Sequence, residues 1–165
     1  MPSGFMSATE FFQQVQDYFH YLFDNYGFTV ATEETHGHAD IAEVELDSSG
    51  WRVVIYREHA YVNIMVGPVQ SESRVLYDLG HVIPFLNGND ETEAMWFGPE
   101  VKMSSDYVSR MHMQLRWWSE VLRENCDRLT DLFADDVFPA KQPQLVAWTN
   151  QVEEAIRRHL SGRNA

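Results

Sequence analysis

A single cysteine, Cys126, stands in 165 residues. A lone thiol excludes an internal disulfide and fits a reducing compartment. The chain also has no apolar run near the ~20 residues that a membrane-spanning helix needs. Met1 to Phe12 carries no basic residue ahead of an apolar stretch, so no secretory signal is expected. Together these absences lead to the expectation of a soluble cytoplasmic protein. No internal repeat or low-complexity tract is visible. The signatures of phosphate-cradling loops, dinucleotide-binding turns and helical zinc proteases are missing, so neither a catalytic residue nor a cofactor is expected. Asp135-Asp136 lacks the loop pattern of a calcium site.

The scarcest property is positive charge at the front. Residues 1–100 hold 3 basic and 16 acidic side chains, whereas residues 101–165 hold 9 of each. The whole net charge of −13 therefore lies in the first 100 residues. Such a field repels nucleic acid and anionic lipid and attracts cations or basic proteins. In the balanced rear part, Arg110, Arg116, Arg123 and Arg128 each have acids nearby, and no basic stripe survives for nucleic acid.

Aromatics are plentiful, with 10 Phe, 7 Tyr and 5 Trp. A chain of this size buries roughly 70% of its unfolded surface, so a compact core is expected. Ser7 and Glu10 form a capping box for a first helix that ends at Gly27. Phe11, Val15, Tyr18, Leu22 and Tyr26 recur at helical spacing, widened by Phe12, Phe19 and Phe23.

From residue 28 the period changes to two. Phe28 and Val30 open a strand, and Ala42, Val44 and Leu46 alternate with Glu43 and Glu45. After a turn at 47–50, Trp51, Val53 and Ile55 repeat the alternation. A second reversal at Glu58-His59 leads to Val62, Ile64 and Val66. The expected register pairs Leu46 with Trp51 and Glu45 with Arg52, then Ile55 with Val62 and Trp51 with Val66. One face of this meander is then wholly apolar. The other shows Glu43, Glu45, Arg52, Tyr56 and Tyr61 among aliphatic residues, more apolar than a solvated face requires. Either the later helices or a partner covers it.

Val75 to Leu79 reads as a short strand or a helix start, and Val82 to Leu86 as a helical turn interrupted by Pro84. Met95 to Pro99 is an apolar loop segment, either a plug over the core or an exposed anchor. Ser104 or Ser105 caps a helix reaching Phe133, with Val108, Met111, Leu115, Trp118, Leu122, Leu129 and Leu132 in one row. Pro139 and Pro143 mark a break before a last helix, Gln144 to Leu160.

The fold class is thus α+β: an N-terminal helix packed on an antiparallel meander of about four strands, followed by two long C-terminal helices. Residues 1–102 form an acidic core, and residues 103–165 a helical pair packed on the same domain or forming a homodimer seam. A protein partner would meet Glu43, Glu45, Tyr56 and Tyr61 on the second sheet face, with Trp96 as a further anchor. The metal candidate is His36 with His38, flanked by Glu33, Glu34 and Asp40, since imidazoles and carboxylates suit zinc. Its spacing fits no zinc finger. His59 at a hairpin tip, His81 and His112 are weaker candidates, and Cys126 lacks the electropositive surroundings of a reactive thiol.

The run from Asp17 to Phe28, the segments Val53 to Glu58 and Tyr61 to Ile64, and Leu76-Tyr77-Asp78-Leu79 resemble small bacterial proteins of the kind associated with immunity to polymorphic toxins. The likeness covers roughly residues 10–86. It implies a cytoplasmic protein without catalysis that binds and blocks a basic partner. An acidic dimeric secretion-chaperone architecture and a metal-dependent enzyme built on His36 and His38 are the alternatives.

Overall fold

The computed structural model describes residues 4–36, 40–69, 74–101 and 106–163. Its elements follow as α1 (Ala8–Tyr18), α2 (His20–Tyr26), β1 (Thr29–Thr35), β2 (Ile41–Asp47), β3 (Trp51–Glu58), β4 (Tyr61–Pro68), β5 (Tyr77–Asp78), α3 (Leu79–Asn87), α4 (Glu91–Met95), α5 (Tyr107–Leu132) and α6 (Phe138–Arg163). The architecture is α+β. Five antiparallel strands lie in the order β1-β2-β3-β4-β5. Among the described residues no helix is long and apolar enough to cross a membrane.

The capping box forms as expected: the Ser7 hydroxyl accepts from the Glu10 N–H, and the Glu10 carboxylate accepts from the Ser7 N–H. The first helical segment is, however, two helices. Phe19 leaves the helical region (φ −107°, ψ 21°) and divides α1 from α2. A tertiary contact supports the break. The Ser119 hydroxyl donates to the Tyr18 carbonyl at 2.6 Å, and the Tyr21 hydroxyl donates to the Ser119 carbonyl at 2.7 Å. The bend turns Phe11, Val15, Phe19, Tyr21 and Leu22 all inward. Gly27 ends α2 with φ +70°, a conformation that glycine adopts without penalty.

Both central hairpins pair two residues further along than the sequence pattern suggests. Leu46 faces Val53 and Val44 faces Ile55. Val53 then faces Val66, and Ile55 faces Ile64. The turns explain the shift. Ser48 N–H bonds the Trp51 carbonyl, so Ser49-Gly50 forms the first tip. His59-Ala60 forms the second, with His59 at φ +54°. A slip of two preserves side-chain parity. Ala42, Val44, Leu46, Val53, Ile55, Ile64 and Val66 therefore still share one face, each fully buried.

α1 and α5 pack over that face. On α5, Met111, Leu115, Leu122 and Leu129 are fully buried, and each such side chain contributes roughly 1.5–3 kcal/mol. The α5 cap is Asp106, whose carboxylate accepts from the Ser109 N–H; Ser104 and Ser105 lie outside the described residues. α6 starts at Phe138, earlier than the prolines suggested. Pro139 falls in its first turn, where backbone N–H groups lack helical partners anyway, and Pro143 is carried inside the helix. α6 lies chiefly against α3 and α4, so each long helix packs on the domain.

Candidate functional site

The three arginines of the first 100 residues are all engaged within the fold. Arg52 lies on β3 with Nε 2.7 Å from both a Glu45 and an Asp47 oxygen, and its Nη2 donates to Asp47 at 3.0 Å. The Asp47 hydrogen bond raises its already high pKa further. Arg74 reaches Glu43 at 2.9 Å and Glu45 at 3.7 Å. It can do so because the chain ahead of β5 crosses the second sheet face at Gly67. A Cβ there would stand 2.0 Å from the Val75 carbonyl oxygen, so only glycine admits the crossing.

Arg57 is fully buried on the apolar face. Its Nη1 donates to the Met6 carbonyl at 2.7 Å and its Nε to the Asp40 carbonyl at 3.3 Å. The guanidinium also lies 5.1 Å from the Phe11 ring centre. It ties the β1–β2 connection and the N-terminal segment to the sheet. The parity of β3 already places residue 57 beside Val53 and Ile55, so alternation was the signal for it.

Glu45 is only 7% exposed, and its carboxylate also accepts from the Thr32 hydroxyl. Glu43 is half-buried between Arg74 and His36. These two carboxylates are thus engaged inside the fold. Tyr56 is half-buried, whereas Tyr61 is 54% exposed.

Tyr56 and Tyr61 come together, with Glu58, His59, Val62 and Asn63, around an open depression of about 360 Å³. The Asn63 amide donates to the Tyr56 hydroxyl at 3.3 Å and to Asp78 at 3.1 Å, which orients the ring. The depression lies at the end of the sheet where Asp40, just ahead of β2, meets the β3–β4 turn. The His59 N–H donates to the Asp40 carbonyl, and His59 Nδ1 is 3.8 Å from the Asp40 carboxylate. This end is anchored on α5. The Tyr107 hydroxyl donates to the His59 carbonyl at 2.8 Å, and burial pushes its pKa up.

Trp96 is 61% exposed at the end of α4, edge-on to His159 at 5.0 Å, and takes no part in the depression. The following Phe97 packs on Trp117. His36 sits 3.3 Å from Glu43 and 3.7 Å from Glu34. His38 lies outside the described residues. Among the described residues no group of three or more His, Cys, Asp or Glu could hold a metal ion. His112 hydrogen-bonds the Tyr18 hydroxyl, and the His81 carbonyl accepts from Trp148. Cys126 is buried, and desolvation pushes its thiol up to about 12.

What this end of the sheet can do is chemically simple. Two phenol rings, the Glu58 carboxylate and the His59 imidazole offer cation–π and polar contacts to a positively charged side chain. No family model matches the chain, and no curated protein or solved structure matches it either.

Proposed function

We propose that this chain is a binding protein without catalysis, of the immunity type, that docks a basic partner protein on its acidic front half. The observation that carries the reading is the disposition of charge. Arg52, Arg57 and Arg74 are engaged internally, whereas Glu10, Asp17, Asp24, Glu33, Glu34 and Glu58 are exposed. The negative field therefore faces solvent with no cation of its own half left to offset it. Such a field speeds encounter with a basic surface and sets orientation more than it sets final affinity. The depression at Tyr56 and Tyr61 supplies the shorter-range contact, with Glu58 in the docking role that Glu45 is too buried to fill.

Capture from native lysate with the chain as bait tests this, at low and high salt, with the Tyr56→Ser/Tyr61→Ser variant in parallel. The expected partner is a basic protein, retained at low salt, released at high salt and lost with the variant. A partner that is acidic, salt-indifferent or unaffected by the variant refutes the reading. A homodimer is the second reading. It is favoured by the groove of about 420 Å³ on the outward side of α5, formed by Val108, His112, Met113 and Trp117. Sedimentation of the free chain decides it.

A further inference from the structure

A sheet has two edges, and each presents backbone N–H and C=O groups that need partners. This sheet treats its edges differently. β5 pairs with Met65 and Val66 on one stretch of β4. α5 closes the stretch nearer the hairpin tip with side chains. The Gln114 amide accepts from the Val62 N–H at 3.0 Å and donates to the Ala60 carbonyl at 2.8 Å. Trp118 Nε1 donates to the Val62 carbonyl at 3.2 Å. One glutamine and one tryptophan thus stand where a further strand would lie.

Among the described residues the opposite edge has no such cover. β1 runs seven residues, all exposed except Thr32, and pairs with β2 alone. Among the described residues no hydrogen bond reaches its outward backbone edge. Its side chains carry charge on both faces of the sheet. Glu33 faces Val44 across the ladder and takes a hydrogen bond from Gln16 of α1, so it lies on the helix side. Glu34 faces Glu43 and lies on the other side. Residues 4–36 contain five acids and no lysine or arginine. A second copy of β1 laid on the first would bring Glu33 and Glu34 of both copies into one short ladder, where like charges destabilise. The bulge at Ala31 adds a twist that opposes flat self-pairing.

We propose that the β1 edge accepts an extended basic segment of a partner protein as a sixth strand. Main-chain hydrogen bonds supply the attraction. Lysine or arginine at neighbouring positions of the incoming strand reaches Glu33 on one face and Glu34 on the other. The proposal rests on the reading above only for the sign of the partner's charge.

The probe is a capped nine-residue peptide alternating lysine and threonine, followed by amide hydrogen exchange along the chain. Outward-facing β1 amides gain at least tenfold protection at saturating peptide. The same peptide N-methylated on alternate residues gives none. Glu33→Lys/Glu34→Lys weakens binding about tenfold. Protection outside β1, equal binding by the N-methylated peptide, no protection at any peptide concentration, or a β1-mediated dimer in sedimentation overturns the proposal. The two readings fail separately. A basic partner captured with β1 unprotected removes only the sixth strand, and β1 protection by the peptide without a basic partner in lysate removes only the proposed function.

Discussion

Replacing Gln114 by methionine removes three polar contacts, to Val62, Ala60 and Arg110, while nearly preserving volume. Gln114 is 1% exposed, and Val62, whose N–H it satisfies, is 5% exposed. An orphaned buried N–H costs about 1–3 kcal/mol. The Ala60 carbonyl, on a half-buried tip residue, retains access to water, so its loss adds about 0.5–1 kcal/mol. The sum is about 3 kcal/mol. For a chain of this length that lowers Tm by about 9 °C. With a urea m-value of about 2 kcal/mol/M, the midpoint falls by about 1.5 M. Tryptophan fluorescence during urea titration reads this directly. Gln114→Glu provides the diagnostic contrast. Its carboxylate would oppose the Ala60 and Arg110 carbonyls that now accept from the amide, so its folded-state pKa is raised. A raised pKa leaves stability intact below the unfolded value, near 4.3, and lost as pH rises through the folded one. Gln114→Glu is therefore closest to the parent at about pH 4 and weakest at about pH 8. A Gln114→Met variant within about 0.5 kcal/mol of the parent, or a Gln114→Glu loss independent of pH, refutes the argument that this amide closes the β4 edge.

Three further outcomes follow from the same packing. Cys126, buried with its thiol near 12, resists iodoacetamide at pH 8 in the folded chain and reacts fully in urea; equal rates in both states would contradict its burial. Gly67→Ala forces the Val75 carbonyl to retreat and pulls Arg74 from Glu43, costing about 1–3 kcal/mol by urea unfolding. The Tyr21 phenol, raised chiefly by burial, keeps its stabilising effect below about pH 10 and loses it as pH climbs further. Absorbance titration at alkaline pH shows this ring ionising only with unfolding, and Tyr21→Phe, at a cost of about 1 kcal/mol near neutrality, reduces the alkaline loss.

Period-two alternation made the meander legible, because parity survives a register slip of two even when the turn residues are misplaced. Ser7, Glu10 and Gly27 were legible because caps are local chemistry. The bend at Phe19 was not, since it has no proline or glycine and depends on a hydroxyl 100 positions away, Ser119. Pro139 misled in the opposite direction: in the first turn of a helix, a missing N–H removes little. At the site, the apolar neighbours of Trp96 left a core plug and an exposed anchor both open, and only the structure shows its ring 61% exposed. The engagement of Glu43 and Glu45 was not, because Arg74 arrives through a chain crossing that no periodicity announces. Gln114 sat on the buried side of its helix among methionine and leucine, and only the strand beside it explains a polar side chain there.

The clasp between Ser119, Tyr18 and Tyr21 has a consequence for biogenesis. Its partners are separated by about 100 residues, as the hydrogen bonds at sequence distances of 98 and 101 show. Ribosomal synthesis at about 5–20 residues per second leaves the nascent meander without its α5 cover for several seconds. During that interval a row of valines and isoleucines faces water or a chaperone. Translation stopped at residue 102 should therefore yield an insoluble fragment, and the chain commits to its native shape only after the rear third has emerged.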